Sequence, residues 1–377
     1  MDLEALRKEI NGIDDQIARL IAERMTIVGD VAAAKQANGT PTLDKSRERE
    51  ILARVTEHAG ENEKAVRAVF QLLFDISRAK QSALSPKATA LTDEVVAAIK
   101  STDKLFPEKA TVAVQGTDGA FSQQAADKLF PLANITYFGN FASVFGAVQS
   151  GLCRFGVLPL ENSTFGTVGE VYDLMLKYNF HIVRGLTLHV GHSFLAKTGA
   201  KLSDIKEVVS HEQAIGQCRE YLAKLPKEIE IREMPNTALA AKYAAEHDGV
   251  AAIASSECAK YHSLDILTDN IQDNQNNYTR FICITRDLEI YPGSDKVSVS
   301  LSLPHEPGSL YALLGKFAAS GFNLHKLESR PVPGKDFEFR FYFDFAASLT
   351  DEKAARFIGE LSKQYGEFRF FGNYLEK

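Results

Sequence analysis

The 377-residue chain contains no tryptophan, four methionines and four cysteines. Cys153, Cys218, Cys258 and Cys283 stand far apart with no C-x-x-C spacing, which excludes a zinc ribbon or a dithiol pair and leaves reduced, buried thiols. No apolar run reaches the ~18 residues of a membrane span. The opening residues Met1 to Glu4 begin an amphipathic pattern without the charged and apolar blocks of a signal peptide, so a cytoplasmic protein with no membrane partner is expected. A net charge of −6 provides no global basic field for nucleic acid, although local pockets for small anions remain open. No G-x-G-x-x-G occurs and metal-ligating residues do not cluster, so no cofactor or metal is expected, and His189 and His192 read as ordinary sheet residues.

What is present divides into segments of different period. At one domain per ~150 residues the length implies two or three domains. Up to about Ser85 the apolar residues step by three and four, through Leu3, Leu6, Ile10, Ile13, Ile17, Leu20, Ile27 and Val31. This heptad seam predicts a long helix over about 3–38, before Gly39 and Pro41, followed by helices over 47–58 and 63–83. Three helices so thin cannot cover their own seam, which predicts dimerisation. Residues 86–109 read as a linker with a short helix at 92–100. Beyond it, short apolar strands at 111–115, 156–160, 206–210, 249–254 and 281–285 alternate with helical patterns such as 122–129 and 237–247, predicting an α/β domain with a largely parallel sheet. From Lys296 the order is strand, helix, strand, strand, helix, strand, with Phe337, Phe339, Phe341 and Phe343 alternating along one strand, which predicts the ferredoxin-like α+β arrangement.

Continuing the heptad beyond Leu20 puts Arg24 and then Lys35 where apolar residues should stand. They lie ~16 Å apart along a helix, so they either fix register and oligomer state or converge on one small anion. Arg7 lies ~25 Å from Arg24 and reaches such a pocket only from an antiparallel partner helix. Asp44, Arg47 and Glu48 share one helical face, as do Ser77 and Gln81.

In their order and spacing, Arg7, Arg24, Lys35, Asp44, Arg47, Glu48, Ser77 and Gln81 resemble the all-helical chorismate mutases, which are intertwined dimers. The resemblance implies that Arg24 and the partner subunit's Arg7 hold two substrate carboxylates. It further implies that Lys35 and Gln81 donate to the ether oxygen on which negative charge builds, and that Glu48 with Asp44 orients the ring hydroxyl.

The strand Phe155 to Leu160 runs into Glu161, Asn162 and Ser163, where ligands of open α/β sheets sit. Another strand runs into the Gly-rich turn Gly116 to Gly119 ahead of Ser122, and others end at Ser210 and at Ser255. With Thr279, Arg280 and Phe281, this set resembles prephenate dehydratase, whose fold is periplasmic-binding-like. Glu161, Asn162, Ser163, Ser210, Gln217 and Thr279 match positions tied to substrate binding or catalysis. Thr279 is that family's favoured proton donor to the departing hydroxyl. Glu161, beside an apolar strand, is the alternative acid through a raised pKa. The turn lacks the usual Pro after Gly116, and Glu212 replaces a common Pro after His211.

The final segment resembles an ACT regulatory module. Glu328, Ser329, Arg330 and Pro331 match the signature of phenylalanine-sensitive dehydratases. The resemblance places L-phenylalanine near Gly308, Ser309, Leu310, Asn323 and Leu324 as well. Over its whole length the chain thus resembles the bifunctional chorismate mutase/prephenate dehydratases, which implies chorismate and prephenate as substrates, feedback inhibition and a homodimer or higher homo-oligomer. Arogenate dehydratase and a non-catalytic amino-acid sensor are the alternatives.

Overall fold

The structure, a computed structural model, describes all residues except 1, 39, 41–43, 85–88, 333 and 335–337. Gly39, Pro41, Phe337 and the expected linker start at 85–88 therefore lie outside the described residues. The chain forms two compact units, Met1–Ala97 with Val297–Arg369, and Ala98–Lys296 with Phe370–Lys377. Among the described residues no helix is long and apolar enough to cross a membrane.

The first unit opens with α1 (Leu3–Ala37), whose N-cap Asp2 accepts from Glu4 N at 3.3 Å. Acidic Glu4 in its first turn and Lys35 in its last complement the helix dipole. Helices α2 (Lys45–Glu57), α3 (Glu63–Leu84) and α4 (Ala90–Ser101) follow. α1 buries only Val28 and Ala32, on the side that packs against α3 with its buried Leu73 and Phe74. The heptad seam itself is uncovered within one chain: Ile10, Ile13, Ile17, Leu20 and Ile27 are 47 to 64% exposed. The seam charges expected on a buried face are accordingly half-buried.

The second unit contains β1 (Thr111–Gln115), α5 (Phe121–Leu129), β2 (Asn134–Phe138), α6 (Phe141–Gln149), β3 (Phe155–Asn162), β4 (Gly166–Thr167), α7 (Gly169–Tyr178), β5 (His181–His189) and β6 (Ser193–Lys197). It continues through β7 (Glu207–Ser210), α8 (Glu212–Gln217), α9 (Arg219–Leu222), β8 (Glu230–Glu233), α10 (Thr237–Glu246), β9 (Val250–Ala254), α11 (Ser256–His262), β10 (Leu264–Thr268) and β11 (Tyr278–Thr285). These strands make two mixed sheets, β5–β11–β3–β1–β2 and β10–β6–β9–β7–β8, which corrects the expected largely parallel sheet. The chain leaves β5 to build the second sheet and returns through β11, antiparallel to both β5 and β3. Sequence periodicity missed β5 and β6 because their near-continuous burial leaves no alternation to read.

Residues Phe370–Lys377 add an outer strand parallel to β5, with Leu375 opposite Arg184. Here Gly372 is required by close approach: a Cβ would stand 2.2 Å from the Ile182 carbonyl oxygen. Gly372→Ala should therefore push this strand off β5 and destabilise the unit by about 1 to 3 kcal/mol. A thermal midpoint equal to that of the parent protein would contradict this packing.

The first unit is completed by β12 (Lys296–Ser302), α12 (Ser309–Ala319), β13 (Leu324–Pro331), β14 (Phe339–Ala346), α13 (Glu352–Gln364) and the start of β15 (Gly366–Glu376), whose residues from Phe370 onward are the outer strand just described; the sheet order is β13–β14–β12–β15. This is the expected βαββαβ order. Phe317 of α12, Phe343 and Phe345 of β14, and Phe357 of α13 form its aromatic core, with Phe317 within 5.4 Å of each other ring. α12 and α13 also pack on α3.

Candidate active sites

In the helical segment, Arg24 and Ser77 come together. Arg24 Nη1 donates to Ser77 Oγ at 2.5 Å, its guanidinium lies 5.9 Å from the Phe74 ring, and burial lowers its pKa. Ser77 in turn donates to the Leu73 carbonyl. One turn further along α3, Gln81 is buried with its Oε1 unpartnered among the described residues. Lys35 is half-buried in the last turn of α1, and Arg7 is exposed on the first turns of the same helix.

The expected shared face of Asp44, Arg47 and Glu48 does not form, because each side chain has a different task. Asp44 is the N-cap of α2 and accepts from Arg47 N at 3.0 Å. Arg47 turns outward to Glu50 at 2.8 Å, while Glu48 turns inward and pairs with Arg78. Sequence reading missed Arg78, since nothing local distinguishes it from a surface arginine on an amphipathic helix.

In the second unit, β3 and β11 place Asn162 directly opposite Thr279. Asn162 Nδ2 donates to Thr279 Oγ1 at 2.9 Å and to Asn277 Oδ1 at 2.8 Å. Asn277 Nδ2 donates to Gln217 Oε1 at 2.9 Å, and that oxygen also lies 2.7 Å from His192 Nε2. Two backbone N–H groups, of Thr164 and Phe165, fix the Asn162 amide by donating to its Oδ1 at 2.9 Å each. Because Thr279 Oγ1 accepts from Asn162, its own hydrogen is free to point elsewhere. This chain of amides joins three of the anticipated residues, Asn162, Gln217 and Thr279, through Asn277.

The remaining anticipated residues have other partners. Glu161 pairs across the strands with Arg280, 3.9 Å away, one residue out of phase with Asn162 and Thr279 and therefore on the opposite face of the sheet. At the end of its apolar strand its side chain is 36% exposed. Arg280 also contacts Glu376 at 2.9 Å and the Tyr374 hydroxyl at 2.7 Å. Ser163 accepts from Tyr278 N at 2.9 Å and donates to Asn276 O, tying two loops together. Ser210 is fully buried and donates to the Ile253 carbonyl at 2.6 Å. Ser122 is buried in the first turn of α5, behind a turn that requires glycine. Gly119 has φ +85° and a Cβ there would meet Cys258 Sγ at 2.7 Å.

His192 departs from the reading of an ordinary sheet residue. It lies in the connection between β5 and β6, 3% exposed, with Nδ1 unpartnered among the described residues. Burial lowers its pKa, with the Gln217 contact opposing. The unfolded chain thus binds a proton near pH 6.5 that the folded chain binds only at lower pH, so stability is present above that pH and is lost as pH falls below it. The thermal midpoint of the second unit should drop between pH 7 and pH 5, and His192→Gln should flatten that dependence. An unchanged acid slope in the variant would remove His192 as its source.

In the βαββαβ segment, Gly308 caps α12 at φ +87°, and Ser309 and Leu310 line a cleft with His305, Glu306, Phe339 and Phe341. Ser329 and Pro331 stand opposite Phe341 and Phe339 and are exposed. Glu328 and Arg330 alternate onto the other, half-buried face, where Glu328 pairs with Lys326 at 3.0 Å. Asn323 accepts from Ala346 N at 3.0 Å just before Leu324 opens β13.

Comparison with known proteins adds what geometry alone does not give. Residues 112–289 match the prephenate dehydratase family and residues 6–82 match chorismate mutase type II. A bifunctional chorismate mutase/prephenate dehydratase of Aquifex aeolicus is 32% identical, covering 99% of this chain and 98% of its own. Arogenate dehydratase 2 of Petunia hybrida is 39% identical over 70% of this chain and 71% of its own length. A prephenate dehydratase from Arthrobacter aurescens, solved in complex with L-Phe, has a TM-score of 0.64 at 29% identity, covering 70% of this chain and 89% of that one. The helical segment is thus a chorismate mutase domain and the two-sheet unit a periplasmic-binding-like dehydratase domain. With both family matches and a relative aligned end to end, the chain belongs to the bifunctional chorismate mutase/prephenate dehydratases, enzymes that rearrange chorismate to prephenate and convert prephenate to phenylpyruvate.

Proposed function

We propose that the dehydratase step is carried by Thr279, and the observation that supports it is the hydrogen bond from Asn162 Nδ2 to Thr279 Oγ1. As prephenate loses carbon dioxide, the electron pair of the breaking C–C bond enters the ring and expels the ring hydroxyl, which takes a proton to leave as water. Thr279 supplies that proton, and Asn162 stabilises the negative charge left on Oγ1. Gln217 holds the chain of amides, and Ser122, Ser163 and Ser210 shape the surrounding pocket. Glu161 remains the second candidate acid, reached by substrate only from the other face.

In the mutase domain, Arg24, held by Ser77, takes one chorismate carboxylate and Arg7 of the partner subunit the other. Lys35 and Gln81 donate to the ether oxygen, while Glu48, with Asp44, orients the ring hydroxyl. The uncovered seam of α1 supports an intertwined homodimer, since five large apolar side chains in one stripe make a helix–helix interface. Mixing tests this arrangement. Arg7→Ala and Arg24→Ala proteins, each mutase-dead alone, should regain activity when refolded together, because the heterodimer has one site with both arginines. Heterodimers that form without activity would defeat the shared site.

The proposed domain limits are 1–85 for the mutase, 86–109 for the linker, 110–288 for the dehydratase and 296–377 for an ACT domain that binds L-phenylalanine. The cleft lined by Ser309 and Leu310, next to the Gly308 cap, supports the effector reading, as does the L-Phe complex of the Arthrobacter relative. Asn323, Leu324 and Glu328 to Pro331 complete the proposed effector surface. Four unpaired, buried cysteines are in keeping with a reducing cytoplasm. Arogenate is the alternative second substrate, supported by the Petunia relative. Turnover of prephenate and arogenate by the same protein decides between them, and a higher kcat/KM for arogenate would overturn the prephenate assignment.

A further inference from the structure

Behind Glu48 the first unit holds two charged residues, Arg78 and Asp75, that neither reaction has used. Arg78 of α3 donates to Glu48 of α2 through Nη1 and to Asp75 through Nη2. The side chains of Arg78, Glu48 and Asp75 are 21%, 26% and 6% exposed. Burying a carboxylate as deeply as Asp75 is unfavourable unless a cation and hydrogen bonds compensate it, and Arg78 supplies both. A guanidinium is a planar fork, so clamping it on Asp75 also fixes the direction of its other arm toward Glu48.

The outer wall of this cluster comes from a different segment of the sequence. α12 packs on α3, and a Cβ on Gly315 would stand 3.6 Å from Asp75 Oδ2. Lys316 of α12 and its C-cap Ser320, with Phe357 and Glu360 of α13, line the small cleft onto which Asp75 and Arg78 open. Burial, followed by the Arg78 charge, pushes the Lys316 ammonium down to about 8, as expected of two cations facing one poorly hydrated space.

We propose that Arg78 is a positioning residue for the chorismate rearrangement: clamped by Asp75 and walled by α12, it fixes the Glu48 carboxylate in the mutase pocket. This rests on the role of Glu48 proposed above. A free glutamate side chain samples several rotamers, whereas a substrate hydroxyl must be met within a fraction of an ångström, and a misplacement of about 1 Å costs on the order of 10²-fold in rate. The mutase pocket is therefore completed partly by residues from the far end of the chain.

The test uses the full-length protein and both of its activities. Arg78→Met combined with Asp75→Asn removes the guanidinium together with the buried charge it compensates. Mutase kcat should fall by ~10- to 100-fold, with dehydratase turnover and the thermal midpoint near parental values. Arg78→Lys retains a cation without the fork and should recover part of the loss. Gly315→Leu presses on Asp75 from α12 and should lower mutase kcat without altering any mutase helix. Glu48→Gln separates this proposal from its premise: full mutase activity in that variant overturns the role of Glu48 and the clamp with it. An impaired Glu48→Gln beside a folded Arg78→Met/Asp75→Asn protein of parental mutase kcat overturns the clamp alone. Should the double variant not fold, parental kcat in Arg78→Lys overturns it equally.

Discussion

Thr279→Val should abolish dehydratase turnover, by ~10²- to 10⁴-fold, with little change in mutase activity or in folding. The substitution removes one hydroxyl at nearly constant volume from a residue that is 9% exposed. In the native protein Thr279 Oγ1 accepts from Asn162, so the hydroxyl proton is directed away from the amide chain. Valine takes away that proton and one acceptor of Asn162, whose amide keeps Asn277 Oδ1 and the Tyr278 carbonyl as partners. Following phenylpyruvate absorbance and chorismate consumption in the same preparation checks the result. Retained dehydratase turnover would move the acid to Glu161, and Glu161→Gln then becomes the deciding variant. The strand register bears on that choice: Glu161 stands opposite Arg280 while Asn162 stands opposite Thr279, so one substrate cannot meet both candidate acids from the same face.

Lys35→Ala should remove at least ~10²-fold of mutase activity and leave the dehydratase within about twofold of the parent. The rearrangement needs no nucleophile; its barrier falls when donors already stand where charge develops on the ether oxygen. In the proposed arrangement Lys35 brings a cation to that position, from the last turn of a helix whose negative dipole end favours one. The dehydratase residues belong to a different compact unit, Ala98–Lys296 with Phe370–Lys377. Parallel loss of both activities in a folded variant would mean that the two reactions share residues.

Much of the local structure was legible in the sequence. The helices predicted over about 3–38, 47–58 and 63–83 occur at Leu3–Ala37, Lys45–Glu57 and Glu63–Leu84, because heptad spacing and capping residues are short-range signals. The βαββαβ order was readable for the same reason, from alternation within each strand and punctuation between them. A truncation after about residue 286 looks, from sequence, like a clean way to remove the last segment while sparing the mutase. The fold makes it less clean: α12 and α13 pack on α3, so that truncation uncovers Asp75, Arg78 and the face that supports Glu48.

What the sequence determined by itself is the helices of the first segment, the βαββαβ order of the last and, through motif resemblance, a candidate set of residues for the two reactions. Asn162, Gln217 and Thr279 lie 117 positions apart at their extremes, and it was the resemblance to a family that marked them together. Tertiary structure decided everything that depends on pairing across distance. It split the expected parallel sheet into two mixed ones, turned Glu161 away from Thr279, sent Arg47 to Glu50 and Glu48 to Arg78, and made His192 the buried end of a hydrogen-bond chain. The physical reason is that helical and strand periods are fixed by bonds between near neighbours, whereas register, facing and burial are fixed by contacts formed only when remote segments meet.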